Sequence, residues 1–377
     1  MTTVRGVCDY LKSIAPLILA EDWDNVGLLL GDDAGQIKRA LTCLTLTREV
    51  AEEAVQVGAG LIVTHHPVLF KPIKKITVEN AEGRMLLTLL RHGIAVYSPH
   101  TAWDNSSSGI NQQLAELFEL QDIKPLRQHA TADHVKLVTF VPESHLDHVR
   151  QALWNTGAGV IGNYHNCSFN LRGTGTFFGG PGTDPAVGKA GRLEQVEEVR
   201  LEVVCAAKFL DRALTALRQA HPYEEPAVDV FSVKALKEGA GSGRMGTLPR
   251  PTTLKDLNKL VADRLRQTQI QFVGDADQQI TNLGIACGAA AEFLRDAHRA
   301  GCQALLTGEA RFHSCLEAKE LSLGMILPGH YATERFAMET LADRLRQQFP
   351  ELKVTASTHE RDPVQYLASA TDQQLPA

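Results

Sequence analysis

Ala59-Gly-Leu-Ile-Val-Thr-His-His66 runs a short apolar stretch straight into two adjacent imidazoles. The segment before it, around residues 48–56, has helical spacing, so this reads as a helix, a glycine turn and a buried strand whose carboxyl end carries polar side chains. Working outward, the periodicity predicts an amphipathic helix from Val4 to Ile14, strands at Val26 to Leu30 and Arg39 to Thr45, a helix at Ala81 to Arg91, and a strand at Ile94 to Tyr97. Helices alternating with strand-length apolar runs indicate βαβ units around a largely buried sheet. The opening part of the chain is therefore α/β.

The texture changes near Arg127. Strand-like runs at Lys136 to Val141, Gly173 to Phe178 and Val199 to Val204 alternate with helical stretches over residues 145–156 and 211–220. That rhythm predicts a small α+β domain. It closes on Glu238-Gly-Ala-Gly-Ser-Gly-Arg-Met-Gly246, whose glycines suit a mobile loop. The α/β texture then resumes. The expected organisation is residues 1–127 as the first half of a core, 128–237 as an inserted domain, and 238–377 as the second half.

The two ends repeat one another. Residues 59–66 align with Ala300-Gly-Cys-Gln-Ala-Leu-Leu-Thr-Gly-Glu309, and Gly93-Ile-Ala-Val-Tyr-Ser-Pro-His-Thr-Ala-Trp-Asp104 aligns with Gly324-Met-Ile-Leu-Pro-Gly-His-Tyr-Ala-Thr-Glu334. In the second pair a His precedes a carboxylate by four residues: His100 and Asp104, then His330 and Glu334. Duplicated halves facing one another are expected.

These positions carry the chemistry. His65, His66 and His330 offer imidazoles, while Asp104 and Glu334 offer carboxylates; each follows an apolar strand, and His330 and Glu334 share one helix face. Mixed nitrogen and oxygen donors suit Zn, Fe, Mn or Co better than Ca or Mg. Five ligands do not saturate two ions, so a carboxylate bridges and positions stay open. His100 and Glu309 occupy equivalent places in the opposite halves, where they would act as proton shuttles, support a ligand, or make an ordinary structural hydrogen bond. Asp24 and Asn25 either line a substrate cavity or cap a turn. Gly173-Thr-Gly-Thr-Phe-Phe-Gly-Gly-Pro-Gly182 reads as a glycine-rich β-turn, since no Lys-Ser/Thr or helix start follows to make it a phosphate loop. His221 to Glu225 reads as a proline-punctuated turn.

Composition narrows the class. Of 377 residues, 44% are hydrophobic and 22% charged, which is ordinary globular usage with material for more than one core. Net charge is −6 with no basic stripe, so the footprint of a nucleic-acid binder is missing. Seven cysteines, odd in number and never spaced as CxxC, argue against a disulfide framework. With no membrane-length apolar run and no apolar leader, a cytoplasmic protein is expected.

Asp22-Trp-Asp-Asn-Val-Gly27, Thr64-His-His-Pro-Val-Leu-Phe70, Tyr97-Ser-Pro-His-Thr-Ala-Trp-Asp104, Asn111 and Gly329-His-Tyr-Ala-Thr-Glu334 closely resemble the NIF3-like dinuclear metal centre family, the GTP cyclohydrolase 1 type 2 homologs. Lys136-Leu-Val-Thr-Phe-Val-Pro142 and His221-Pro-Tyr-Glu-Glu-Pro226 resemble the insertion of the longer bacterial members, likened to ferredoxin-like PII and CutA-type proteins. The resemblance implies two divalent metal ions per chain held by His65, His66, Asp104, His330 and Glu334, with Glu334 bridging. It also implies a toroidal homohexamer.

Two functions follow from that expectation. One is metal-dependent hydrolysis of a small molecule, either opening the GTP ring to dihydroneopterin triphosphate or cleaving another nucleotide or phosphoester. The other is non-enzymatic metal sensing or regulation through the PII-like insertion.

Overall fold

Four of the strands that flank the histidine motifs, Leu61–Thr64, Ala95–Ser98, Ala304–Thr307 and Gly324–Leu327, are buried along their whole length. Strands with no polar face have to be covered on both sides, which parallel pairing with crossover helices provides. The computed structural model describes residues 2–161 and 164–366, with the side chains of residues 129–133 and 234–238 excepted. The chain divides into two compact units, one of residues 1–129 with 238–377 and one of residues 130–237.

The first unit holds two sheets. The first has the order Gly27–Leu30, Ala95–Ser98, Leu61–Thr64, Arg39–Cys43, Lys353–Ala356; its last four strands are parallel and Gly27–Leu30 is an antiparallel edge. The second has the order Gln271–Val273, Gly324–Leu327, Ala304–Thr307, Gln279–Ala286, Arg244–Thr253, Gln121–Lys124, with three parallel strands in the middle and antiparallel strands outside. Both sheets place an antiparallel strand at one edge beside parallel strands, four in the first sheet and three in the second. Leu61, Tyr97 and Trp103 share one hydrophobic cluster with Ile285, Leu306 and Ile326, so the two sheets are packed into a single core.

Local chemistry sets the helix ends. In Val4–Ile14 the buried residues Val4, Val7, Cys8 and Leu11 form one stripe, and the Thr3 hydroxyl caps it by accepting from the Gly6 N–H. Burying each Val or Leu of that stripe contributes about 1.5–3 kcal/mol. Thr47, Asn80 and Thr253 cap Arg48–Val57, Ala81–Arg91 and Leu254–Arg264 in the same way. Gly58 closes Arg48–Val57 in the left-handed conformation at φ 66°.

Two sequence expectations are corrected here. Glu238–Gly246 is not a mobile loop: it joins the strands Val228–Ser242 and Arg244–Thr253, and residues 240–246 are buried. Arg244 explains why. Its guanidinium is fully buried, donating through Nε to Gln112 Oε1 at 2.9 Å, through Nη1 to the Gly241 and Gly243 carbonyls, and through Nη2 to the Ser106 and Gly239 carbonyls. All five donors are used, and glycines let the backbone wrap that closely. Burial pushes the Arg244 pKa down to about 10. Likewise, the turn expected over residues 173–182 is confined to residues 179–182, because Gly173 to Phe178 is the strand that its apolar run predicts, the end of Phe169–Phe178, paired residue by residue with Leu193–Ala206.

In the second unit the sheet order is Phe169–Phe178, Leu193–Ala206, Arg127–Val141, Val228–Ser242. The helices Leu146–Asn155 and Leu210–Ala220 contribute Val149, Leu153, Ala213 and Leu217 to its core, against Leu137, Val141, Leu201 and Val203. His221, which follows the second helix, has its Nε2 3.1 Å from the Phe140 carbonyl oxygen and plays a structural part. No helix among the described residues is long and apolar enough to cross a membrane.

Candidate metal centre

The centre is built at the carboxyl ends of the parallel strands. After Leu61–Thr64 the backbone keeps bonding to its neighbour: the His65 N–H donates to the Cys43 carbonyl and the His66 N–H to the Leu44 carbonyl. Both residues lie in a bend just past the strand, which sets their ring centroids 5.1 Å apart. His65 is 1% exposed, while the His66 side chain retains access to solvent. Ala95–Ser98 and Gly324–Leu327 each lead into a five-residue helix, His100–Asp104 and His330–Glu334, which sets a His and a carboxylate one turn apart.

Glu334 is the hub. Its Oε2 lies 3.1 Å from both His66 Nε2 and His330 Nε2, and those two nitrogens are 3.3 Å apart. Gly288 makes room for it, since a side chain there would come within 2.4 Å of Glu334 Oε1. Asp104 Oδ1 stands 3.6 Å from His65 Nε2 and accepts from the Cys287 thiol at 3.4 Å. Asn111 joins the two sides of the site, accepting from the Cys287 N–H and donating to the Asp104 carbonyl.

Three histidines follow one pattern. His66 Nδ1 meets Thr45 Oγ1 at 2.8 Å, His330 Nδ1 meets Glu309 Oε1 at 3.0 Å, and His100 Nδ1 meets Asp24 Oδ1 at 2.7 Å. An outer oxygen on Nδ1 would keep a proton there if a metal took Nε2, the arrangement of a metal-ligating imidazole, while here the Nε2 atoms of His66 and His330 face Glu334 Oε2 as its hydrogen-bond partners. His65 is different, for neither of its buried ring nitrogens has a hydrogen-bond partner among the described residues. Each such orphan costs about 1–3 kcal/mol, a penalty that a cation would remove at the nitrogen it bound. The donor atoms of His65, His66 and His100 lie within 4.8 Å of one another, as do those of His66, His330 and Glu334. Imidazoles and carboxylates at these separations fit divalent transition metal ions, which would displace the His330 proton on binding.

Electrostatics sharpen this. Burial drives the His65 pKa well below the usual imidazole value, so the ring stays neutral. Burial, with the Glu334 charge added, raises Asp104 to about 7. Burial also works against ionised Glu334, but the bonds from His330 and His66 outweigh it and hold that carboxyl far below the usual range. For His330 the desolvation that would lower its pKa is overcome by Glu334 and Glu309, which carry it up to about 9.

The structure thus brings His65, His66, His330, Glu334 and Asp104 together, with His100 beside them at 5.1 Å from the His65 ring. Glu309 lies outside, exposed, behind His330. Asp24 anchors His100 and accepts from the Thr101 and Asn25 N–H groups. Sequence reasoning missed Thr45, Cys287 and Gly288. All three follow directly on parallel strands, Arg39–Cys43 and Gln279–Ala286, and position at a strand's carboxyl end was the available signal.

Residues 2–363 match the model of the Duf34/NIF3 (NGG1p interacting factor 3) family. The chain is 35% identical over 366 residues to a GTP cyclohydrolase 1 type 2 homolog of Halalkalibacterium halodurans, covering 96% of this chain and 98% of that one. It is also 35% identical over 341 residues to the protein of that name from Bacillus subtilis, covering 90% and 91%. Among solved structures, a Bacillus cereus protein related to NIF3 matches with TM-score 0.72 at 31% identity, covering 97% of this chain and 99% of that one. A Staphylococcus aureus protein matches with TM-score 0.80 at 28% identity over the same shares. The chain belongs to the DUF34/NIF3 family.

Proposed function

We propose that this family member is a metal-dependent hydrolase whose two divalent ions, of the Zn, Fe or Mn class, are held by His65, His66, Asp104, His330 and a shared Glu334. The observation that carries the reading is that His65, a buried imidazole with no hydrogen-bond partner among the described residues, stands in the same cluster as Glu334, one oxygen of which meets two imidazole Nε2 atoms. Such ions supply Lewis acidity for attack by water on a carbon or phosphorus centre. The protein's own part is to hold the imidazoles in one tautomer through Thr45, Asp24 and Glu309, and to keep Asp104 and Glu334 out of water. His100 Nε2 is the proton acceptor, set by the Asp24 bond on Nδ1, and Glu309 orients His330 through its Nδ1.

The substrate is a nucleotide such as GTP or a related phosphoester, a reading supported by the names of the relatives. The four strands common to both sheets, an antiparallel edge beside three parallel strands, support a core of duplicated halves. Residues 130–237 form a compact unit of their own, which supports an inserted PII/CutA-like domain. Seven free thiols support a cytoplasmic setting, and we take the working assembly to be six copies.

The test combines metal analysis with turnover of GTP and simple phosphoesters. The parent protein should carry close to two ions per chain, lose activity with chelator and regain it with Mn, Zn or Fe. A fully loaded protein that turns over none of these substrates would defeat the hydrolase reading.

A further inference from the structure

Beside the histidine cluster stand two large aromatic side chains that folding has left in solvent. Trp23 is 60% exposed and Phe70 is 47% exposed, although both adjoin a densely packed centre. A single exposed aromatic residue is unremarkable, but two in contact with each other at the rim of a polar site are not. Their ring centroids are 5.9 Å apart at 70°. Both also meet the His100 ring edge-on, Trp23 at 6.1 Å and 74° and Phe70 at 6.5 Å and 88°. His100 in turn lies 5.1 Å from His65 and 5.7 Å from His66. Three near-perpendicular rings make a corner that opens to solvent and has the donor cluster at its inner end.

The backbone holds this corner in place. Asp24, next to Trp23, is tied to His100 and to the Thr101 N–H, and Asn25 Nδ2 donates to the Leu69 carbonyl at 2.8 Å. Leu69, just before Phe70, sits in the left-handed region at φ 63°, a conformation an aliphatic side chain rarely adopts. The two aromatic-bearing loops are thus bonded to each other and to the helix that carries His100. Their exposure is built into the fold and is not the result of loose loops.

We infer that Trp23 and Phe70 form a stacking corner that selects substrates containing a planar heteroaromatic ring and delivers that ring to the metal centre. The geometry suits such a ring because a planar π-system laid on one aromatic face meets the positive edge of the next, while a sugar or a phosphate offers no face to stack. The inference rests on the hydrolase reading for the site's use, but its binding step does not depend on turnover.

The test is calorimetric binding to the full-length, metal-loaded protein, with guanosine as the planar probe and ribose 5-phosphate as the ring-free control. Replacing Trp23→Ala should weaken guanosine binding about tenfold or more, Phe70→Ala should do likewise, and Trp23→Phe should restore most of the affinity. Metal content should be unchanged in all three, and ribose 5-phosphate should not distinguish them from the parent. Failure of the parent to bind guanosine, or equal binding by the Trp23→Ala/Phe70→Ala double variant, would overturn the inference. Guanosine binding that depends on Trp23 with no turnover of any substrate would leave the corner standing and remove the hydrolase. Phosphoester turnover with no aromatic dependence would do the reverse.

Discussion

Replacing His330 or Glu334 by Ala removes partners that His66 depends on, because one carboxylate oxygen serves both imidazoles. Metal content measured on the purified variants should fall from about two ions per chain to one or fewer; an unchanged stoichiometry in both would dismiss these ligands. His100 should behave differently. Its Nδ1 belongs to Asp24 and its Nε2 to the site, so His100→Asn should lower kcat by about 10²-fold or more while both ions stay bound. Asp24→Asn should lower kcat in the same direction by a smaller factor, since it disturbs the tautomer and leaves the imidazole in place. Full activity in His100→Asn would take that residue out of the mechanism.

At the scale of elements, the last described segment is fastened by two buried carboxylates. Glu53, on the helix Arg48–Val57, accepts from the Ser357 hydroxyl, the Thr358 N–H and hydroxyl, and the His359 N–H. Glu360 accepts from the Leu44 and Thr45 N–H groups and pairs with Arg335 Nε at 2.8 Å. Between them these pegs hold the return strand Lys353–Ala356 on the first sheet, and Glu360 also steadies the loop that presents Thr45 to His66. Burial opposes ionised Glu53, but its four bonds win and keep its pKa below the usual value. A carboxyl depressed on folding stabilises the native state above its unfolded pKa of about 4.3, and that contribution is lost as pH falls through the lower folded value. Glu53→Gln should therefore be less stable than the parent near pH 7 by about 1–3 kcal/mol, with the gap closing below about pH 4 in urea titrations. A gap that persists unchanged in acid would mean that the charge on Glu53 contributes nothing.

For the molecule as a whole, the second unit leaves the first at residue 129 and returns at residue 238. Deleting residues 130–237 and joining the ends with a short Gly/Ser linker should leave a folded protein that still binds two ions, checked by circular dichroism and metal analysis. Loss of solubility or of metal would make the second unit part of the core's own stability. Arg244, just inside that return point, fastens the backbone at residues 239–243 to Ser106 and Gln112. Arg244→Met would leave four carbonyls without their donor and should cost about 3 kcal/mol or more, read as a lowered midpoint in thermal unfolding. Sedimentation of the intact chain should give the mass of six copies.

What the sequence determined by itself was local and periodic. The helix Val4–Ile14 and the strand Leu61–Thr64 were legible because one has a 3.6-residue apolar stripe and the other a short buried run, and the family was legible in the strand-end motifs around residues 64–70, 97–104 and 329–334. Glycine content misled at residues 238–246, where a buried arginine bonds three carbonyls of a flexible-looking stretch. Only the tertiary structure decided which groups meet. Asp24 finds His100, Thr45 finds His66 and Glu360 finds the Leu44 and Thr45 N–H groups across separations of 76, 21 and more than 300 residues. Those pairings are set by how two sheets close on a common core, and no local pattern of residues encodes that closure.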